Sequence, residues 1–230
     1  MKKLMLIAAM MVATVSANAQ LEAGTFSLQP KVGSTVAWLT NMPNLSDGFT
    51  SIDKQPTVGA LFGVEAEYQI SDQFSIAAGV NYAMQGSGWE DYSLTVGTSK
   101  LSLNDAKVQL DYINVPLVAN LYLFKGFAVK AGVQVGFLAT AKMKGDMELK
   151  TDYGSQNIKL EDKSDNFKDG CEKVDFSIPV GISYEFPAPV VIDLRYNLGL
   201  LKVNKEFESA PSHNAKNNVI QLTVGYKLAL

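Results

Sequence analysis

The sequence predicts an all-β fold, an eight-stranded antiparallel up-and-down barrel, and three observations carry that prediction. Apolar residues recur at every second position along most of the chain, the alternating segments number eight, and the connections between them are short and long by turns. Composition is compatible: of 230 residues, 47% are hydrophobic and 19% charged, with 18 Gly, 8 Pro and one Cys. A disordered chain would carry fewer apolar residues, a collagenous chain far more Gly, and a disulfide-stapled module an even and larger Cys count. A single domain suffices, because all-β units of about 200 to 250 residues are common.

The chain opens with Lys2 and Lys3, an apolar run from Leu4 to Val15, and Ala17-Asn18-Ala19. A positive start, an apolar stretch too short to span a bilayer and a small-x-small cleavage site are the marks of a secretory signal peptide. The expected division is a signal peptide over 1–19 and a barrel domain over 20–230. No Cys follows the apolar run, so a lipid anchor is not expected. Removal of Lys2 and Lys3 leaves 18 basic residues against 23 acidic, a net charge of −5. That balance counts against polyanion binding, and no nucleic-acid partner is expected.

The period of two is clearest in two neighbouring segments. Val58, Ala60, Phe62, Val64, Ala66, Tyr68 and Ile70 form one register, and Phe74, Ile76, Ala78, Val80, Tyr82 and Met84 continue it after Ser71-Asp72-Gln73. Alternation over such runs means strands, and a three-residue polar break between them means a hairpin. The same template places strands near 26–39, 57–70, 74–86, 107–123, 127–142, 173–186, 190–202 and 218–230. Short connections fall at 71–73, 124–126 and 187–189; long ones fall at 40–56, 87–106, 143–172 and 203–217. With an even number of strands, both ends of the barrel domain and every short turn lie on one side.

A soluble lipocalin-like barrel also alternates, so the outward face decides the class. The apolar register of the fifth segment runs Phe127, Val129, Ala131, Val133, Val135, Phe137, and the opposite register holds Lys130, Gly132, Gln134 and Gly136. Small residues suit the crowded concave side. Aromatics gather at the strand ends, with Tyr68, Phe74, Phe127, Tyr184, Phe186 and Tyr226 by the short turns and Trp38, Tyr82 and Trp89 toward the long loops. Such girdles match the two interfaces of a membrane. About ten residues rising 3.3 Å each at a 45° tilt span about 23 Å, close to the apolar band of an outer membrane. The expected fold is therefore an eight-stranded antiparallel up-and-down transmembrane β-barrel with short periplasmic turns and long extracellular loops.

The segment Asp111-Tyr112-Ile113-Asn114-Val115-Pro116-Leu117 resembles the Tyr-Ile-Glu-Ile-Pro-Leu signature of the small outer-membrane β-barrel proteins of the PorT-like or porin family group. Pro30-Lys31-Val32-Gly33 and the signal ending Ala19-Gln20 are similar to the same group. Asn114 stands where that group has Glu, and the chain ends in Leu230 where it has an aromatic. The signal peptide and the apolar band lead to an expected outer-membrane location with outer-membrane lipid as a partner, and the resemblance implies the barrel-assembly machinery as a partner and a role in envelope integrity, secretion or surface binding. Ile220, Leu222, Val224, Tyr226, Leu228 and Leu230 keep the terminal alternation that such machinery reads.

The pattern breaks in this strand: Val108 and Leu110 lie in one register, and Ile113, Val115, Leu117 and Leu121 in the other. A β-bulge near Asp111 is the simplest account, and Pro116, which lacks a ladder donor, is expected at or beside such a distortion.

The inward registers carry Lys31, Glu65, Glu67, Lys130, Glu185, Asp193, Arg195 and Lys227, all in the half of the barrel nearer the short turns. An eight-stranded barrel is filled by its side chains, so four acids and four bases there must pair to offset desolvation. The expectation is one ion-pair network that plugs the lumen; a gate or proton path is the alternative. Glycines 33, 59, 63, 79, 132, 136, 181 and 225 relieve crowding on the same side.

Catalytic and metal constellations are sparse. His213 is the only His and lies beside Ser212, with Glu206 and Glu208 near it in sequence, but no spacing defines a triad. Cys171 is alone, so no intrachain disulfide forms. Asp162, Asp165 and Asp169 offer oxygen ligands for Ca²⁺, yet Gly170 and the interleaved Lys163 and Lys168 depart from an EF-hand loop. No cofactor, metal or catalytic residue is assigned. The leading expectation is a non-enzymatic barrel presenting its loops to an extracellular or envelope protein. A narrow ion or solute channel, and less favourably a lipid-modifying enzyme at the barrel rim, are the alternatives.

Overall fold

The computed structural model describes residues 22–41, 45–46, 51–151, 154–162, 168–204 and 214–230. The signal segment 1–19, together with Ser164, Asp165, Glu206, Glu208, Ser212 and His213, lies outside the described residues.

Eight long strands make the barrel: β1 (Phe26–Thr40), β2 (Lys54–Ser71), β3 (Phe74–Trp89), β4 (Ser99–Phe124), β5 (Phe127–Thr151), β6 (Val174–Glu185), β7 (Val190–Gly199) and β8 (Lys216–Tyr226). Each pairs antiparallel with its neighbour in sequence. The ring closes where β1 pairs with β8, from Lys31↔Gly225 to Thr40↔Lys216, and Leu28↔Leu228 extends the seam through the short strand Leu228–Ala229. Closure removes every edge within the barrel, as a sheet in lipid requires. Val32, Phe62, Val64, Val80, Ile113, Val115, Val133, Phe137, Val180, Leu194 and Leu222 all stand exposed on the outer face. The outer girdle includes stacked Phe62 and Tyr82, 5.2 Å between ring centres, and stacked Trp38 and Tyr196, at 6.0 Å.

Several boundaries differ from the sequence expectation. β4 begins at Ser99 and β5 continues to Thr151, so much of 87–106 and 143–172, expected as loop, is sheet. Leu101 and Leu103 alternate with Ser102 and Asn104, and Met147 and Leu149 with Glu148 and Lys150, a strand period diluted by charge. The strands Tyr92–Val96 and Gly154–Asp162 pair with the upper parts of β4 and β5, which extends these two strands into a four-stranded sheet. In the other direction β7 stops at Gly199, short of the expected 202, and β8 is interrupted at Lys227.

The break in the β4 pattern has a different cause from the one expected. A bulge does lie opposite Asp111, but it belongs to β5: Asp111 pairs with Thr140 and Tyr112 with Leu138, leaving Ala139 as the extra residue. The β3–β4 ladder runs through this region without a shift, from Phe74↔Leu121 to Gly88↔Lys107. β4 therefore never changes face. Val108 and Leu110 point inward because the upper lumen is apolar, and Asp111 points outward. Pro116 sits not at the bulge but where the β3–β4 ladder lapses, between Ala78↔Leu117 and Asn81↔Asn114. Pro179 coincides with a matching lapse between Ser177↔Gln134 and Val180↔Ala131 in the β5–β6 ladder. Each missing N–H thus falls where no bond is asked of it.

Candidate functional site

The lumen is the site that the inward registers build, and the structure places all eight of the singled-out charges in it, each under one tenth exposed. They form two clusters at successive depths, where one network was expected. Nearer the short turns, Lys227 of the final segment donates to Glu185 at 2.5 Å and pairs with Glu67 at 2.9 Å. The Tyr122 hydroxyl stands 2.7 Å from Glu67 and 2.5 Å from Glu185, and Lys227 also donates to its oxygen. Ser75 donates to Glu67 and is itself held by Asn120.

Deeper in the barrel, Arg195 spans Glu65 and Asp193. Its Nη2 lies 2.8 and 3.0 Å from the two Glu65 oxygens and 2.8 Å from Asp193 Oδ2, and its Nε lies 2.9 Å from Oδ1. Lys31 donates to Glu65 and Lys130 to Asp193, so each carboxylate takes two cations. This cluster has three cations and two carboxylates, and the one below it one cation and two carboxylates, so the two layers balance one another. The alternation of β2 sets the stacking: Glu65 and Glu67 are two residues apart on one face and stand at different depths, whereas Asp193 and Arg195, equally spaced on β7, join side chain to side chain within the deeper cluster. Two levels of charge are the consequence.

Above the charges lies a belt of amides. Asn114 donates to Asn81 at 3.2 Å, Gln134 to Ser177 at 3.2 Å, and Asn217 reaches across the lumen to Gln85. Asn114, which stands where the resembled signature has a carboxylate, is thus fitted to another amide without a charge to compensate. Within that motif Tyr112, Asn114 and Pro116 face inward and are buried, whereas Ile113 and Val115 lie on the lipid face.

An apolar cap fills the long-loop end. Leu39, Trp89, Leu110, Tyr112, Leu138, Ala141, Cys171 and Val203 are among its members. Trp89, expected in the outer girdle, is a correction: it is 5% exposed and belongs to this cap. Cys171 packs there as a small buried hydrophobe. Burial of side chains this size offsets about 1.5 to 3 kcal/mol each when they leave water.

Sequence reasoning missed Tyr122, Ser75 and Asn120, although the inward register of β4, shared with Asn114 and Pro116, contains two of them. It missed the cap because apolar residues on the inward face look like errors of register when each strand is read alone. Among the described residues no group of three or more His, Cys, Asp or Glu is arranged to hold a metal ion. Every ion pair in the lumen is enclosed between the lower turns and the cap. The arrangement is suited to sealing and bracing the barrel.

A closed ring of eight strands with an apolar exterior and a paired ionic interior defines a small transmembrane β-barrel. Residues 18–204 match the family of the outer membrane protein beta-barrel domain, and the chain belongs to that family. Its place is the outer membrane. Among solved structures it is similar to Ail, the attachment invasion locus protein of Yersinia pestis, at 11% identity over 90% of this chain and 99% of that chain, with a TM-score of 0.39. It is similar to the outer membrane protein OprG from Pseudomonas aeruginosa at 12% identity over 92% and 99%, with a TM-score of 0.40. The outer membrane protease OmpT from Escherichia coli is also similar, at 11% identity over 90% and 97%, with a TM-score of 0.33. No curated protein matches the chain significantly.

Proposed function

We propose that this protein is a non-enzymatic, non-conducting outer-membrane barrel that presents a surface-exposed sheet to an extracellular or envelope partner. The observation that carries this reading is the doubly sealed lumen: two ionic layers centred on Arg195 and Lys227, and the apolar cap around Trp89 and Leu110. A path for solute would have to break both, and buried pairs of this kind resist opening because removal of one partner strands a desolvated charge.

The presenting element is the sheet formed by the upper parts of β4 and β5 with Tyr92–Val96 and Gly154–Asp162. Among the described residues each outer strand has a named strand neighbour on one side only, and a sheet margin of that kind suits addition of a partner strand. The PorT-like resemblance of Asp111–Leu117 supports an envelope or secretion role for such a contact. Export through the cleaved signal peptide over 1–19 and insertion by the barrel-assembly machinery through the 220–230 alternation belong to the same proposal. A variant in which residues 146–160 are replaced by a tight turn tests it. The reading expects a barrel that still shows heat-modifiable migration yet no longer cross-links to the envelope protein captured by the wild type. Unchanged cross-linking with the sheet removed would contradict it.

A further inference from the structure

The outer wall has one irregularity that the sealed lumen does not explain. Between β2 and β3 the ladder runs from Gln69↔Ser75 up to Leu61↔Ala83, then shifts register and resumes at Pro56↔Ser87. Thr57 to Ala60 of β2 and Met84 to Gly86 of β3 part company there, while their outer ladders to β1 and β4 continue. Gly86, at a φ of 136°, supplies the backbone that lets β3 bend away. The Thr35 hydroxyl crosses above Gly59 to the Met84 carbonyl, and in that way serves an acceptor the ladder has released. The result is a notch of about 80 Å³ of mixed character, lined by Val58, Met84 and Val108 together with Gln85, Lys107 and Gln109 among others. Val58 at its edge is 78% exposed, against 39% for Val64 lower on the same strand.

Next to the notch the outer face changes character. Up to Ile113 on β4 and Phe137 on β5, which pair with each other, the outward residues are apolar. Beyond them come Asp111, then Gln109 opposite Lys142, then Lys107 opposite Lys144. Two lysines directly across a strand pair repel one another. Asp111 is occupied by the Tyr82 hydroxyl at 2.7 Å and by Gln109 at 2.9 Å. Asp146 follows two residues beyond Lys144 on the same face of β5. Three lysines thus stand against two carboxylates, and among the described residues Lys107 and Lys142 form no ion pair. At a 45° tilt Lys142 and Lys107 rise about 9 and 14 Å above Ile113. Both lie beyond a headgroup layer of about 5 to 7 Å, toward which a lysine stem can reach down.

We infer that the notch and its lysines are a binding site for an acyl lipid with a phosphorylated headgroup: Val58 and Met84 take the top of a chain, and Lys107, Lys142 and Lys144 take the phosphate. The chemistry follows from the juxtaposition of a recess whose outward side is Val58 and Met84 with an excess of ammonium groups at its upper rim. A free anion has no use for the recess, and a neutral lipid leaves the Lys107–Lys144 repulsion in place. The site lies on the outside of the barrel and is independent of whether the lumen conducts.

The test uses the full-length barrel in neutral detergent, with bound lipid counted by native mass spectrometry. The probes are bisphosphorylated lipid A, the same lipid after enzymatic dephosphorylation, and inorganic phosphate. The phosphorylated lipid should be retained at least about tenfold better than the dephosphorylated one, on the scale of attraction between lysines and anionic headgroups. Inorganic phosphate should not be retained. Lys107→Gln with Lys142→Gln, which keeps much of the apolar stems, should lose that same factor, and heat-modifiable migration reports whether the variant is folded. Lys150→Ala, which removes an exposed lysine paired with Glu148 at 3.1 Å, should bind as the wild type does. Equal retention of the two lipids, retention of phosphate alone, or an unaffected Lys107→Gln/Lys142→Gln barrel would overturn the assignment.

Discussion

Removal of the Arg195 guanidinium is the perturbation with the largest consequence for the barrel. Arg195 is 3% exposed and makes four hydrogen bonds, two to Glu65 and two to Asp193. Hydrogen bonds to charged groups contribute about 1.5 to 3 kcal/mol each, so an independent sum would reach about 6 to 12 kcal/mol. The sum overstates the loss, because Lys31 still holds Glu65 and Lys130 still holds Asp193. What remains is the cost of a buried pair deprived of one partner, about 3 to 5 kcal/mol for Arg195→Ala. Reversible urea unfolding of the barrel in lipid vesicles, followed by tryptophan fluorescence and heat-modifiable migration, measures it. Arg195→Lys should fall between the variant and the wild type, since a point charge cannot serve both carboxylates in a fork. An Arg195→Ala barrel with an unchanged unfolding midpoint would refute the reasoning that the ionic layer braces the wall.

Other expectations follow from the same geometry. Val133→Arg, on the outer face at mid-strand, should cost about 2 to 4 kcal/mol in vesicle unfolding if that position lies near the bilayer midplane; a loss under 1 kcal/mol would place it elsewhere. Tyr122→Phe removes a hydroxyl between Glu67 and Glu185 and should cost about 1.5 to 3 kcal/mol in the same assay, with no loss if water replaces it fully. Gly132→Val should impair refolding, because even a Cβ there would meet the Val118 Cα at 2.8 Å; normal refolding yield would show that the wall yields locally. Leu110→Ala should loosen the cap by about 2 to 5 kcal/mol without opening a conducting path, because the ionic layers below persist.

The legible part of the fold is the part governed by period two. Val58 to Ile70 and Phe74 to Met84 announce both their strands and their lipid face, and the alternation of short and long connections gives the order of the ring. The inward charges were likewise visible, since Lys31, Glu65 and Arg195 interrupt registers that are otherwise small or polar. How they divide was not, because depth depends on strand tilt and stagger, which a single strand does not encode. Val108 and Leu110 show a further limit. Apolar residues on the inward face have the same periodicity as a slipped outward face, and only the neighbouring strands reveal that Trp89, Leu138 and Cys171 meet them in a common cap. The β5 bulge at Ala139 and the β2–β3 parting are properties of pairs of strands, so neither leaves a mark on one strand alone.

The central claim, that this barrel is sealed, is tested most directly by planar-bilayer recording of the purified wild-type protein beside the Arg195→Ala/Lys227→Ala/Leu110→Ala variant, which weakens both ionic layers and the cap. The wild type should show no steady conductance across the voltage range in which the bilayer survives, and the weakened variant should show openings that the wild type lacks. Stable ohmic conductance from the wild-type protein would contradict the sealed lumen and establish the channel alternative.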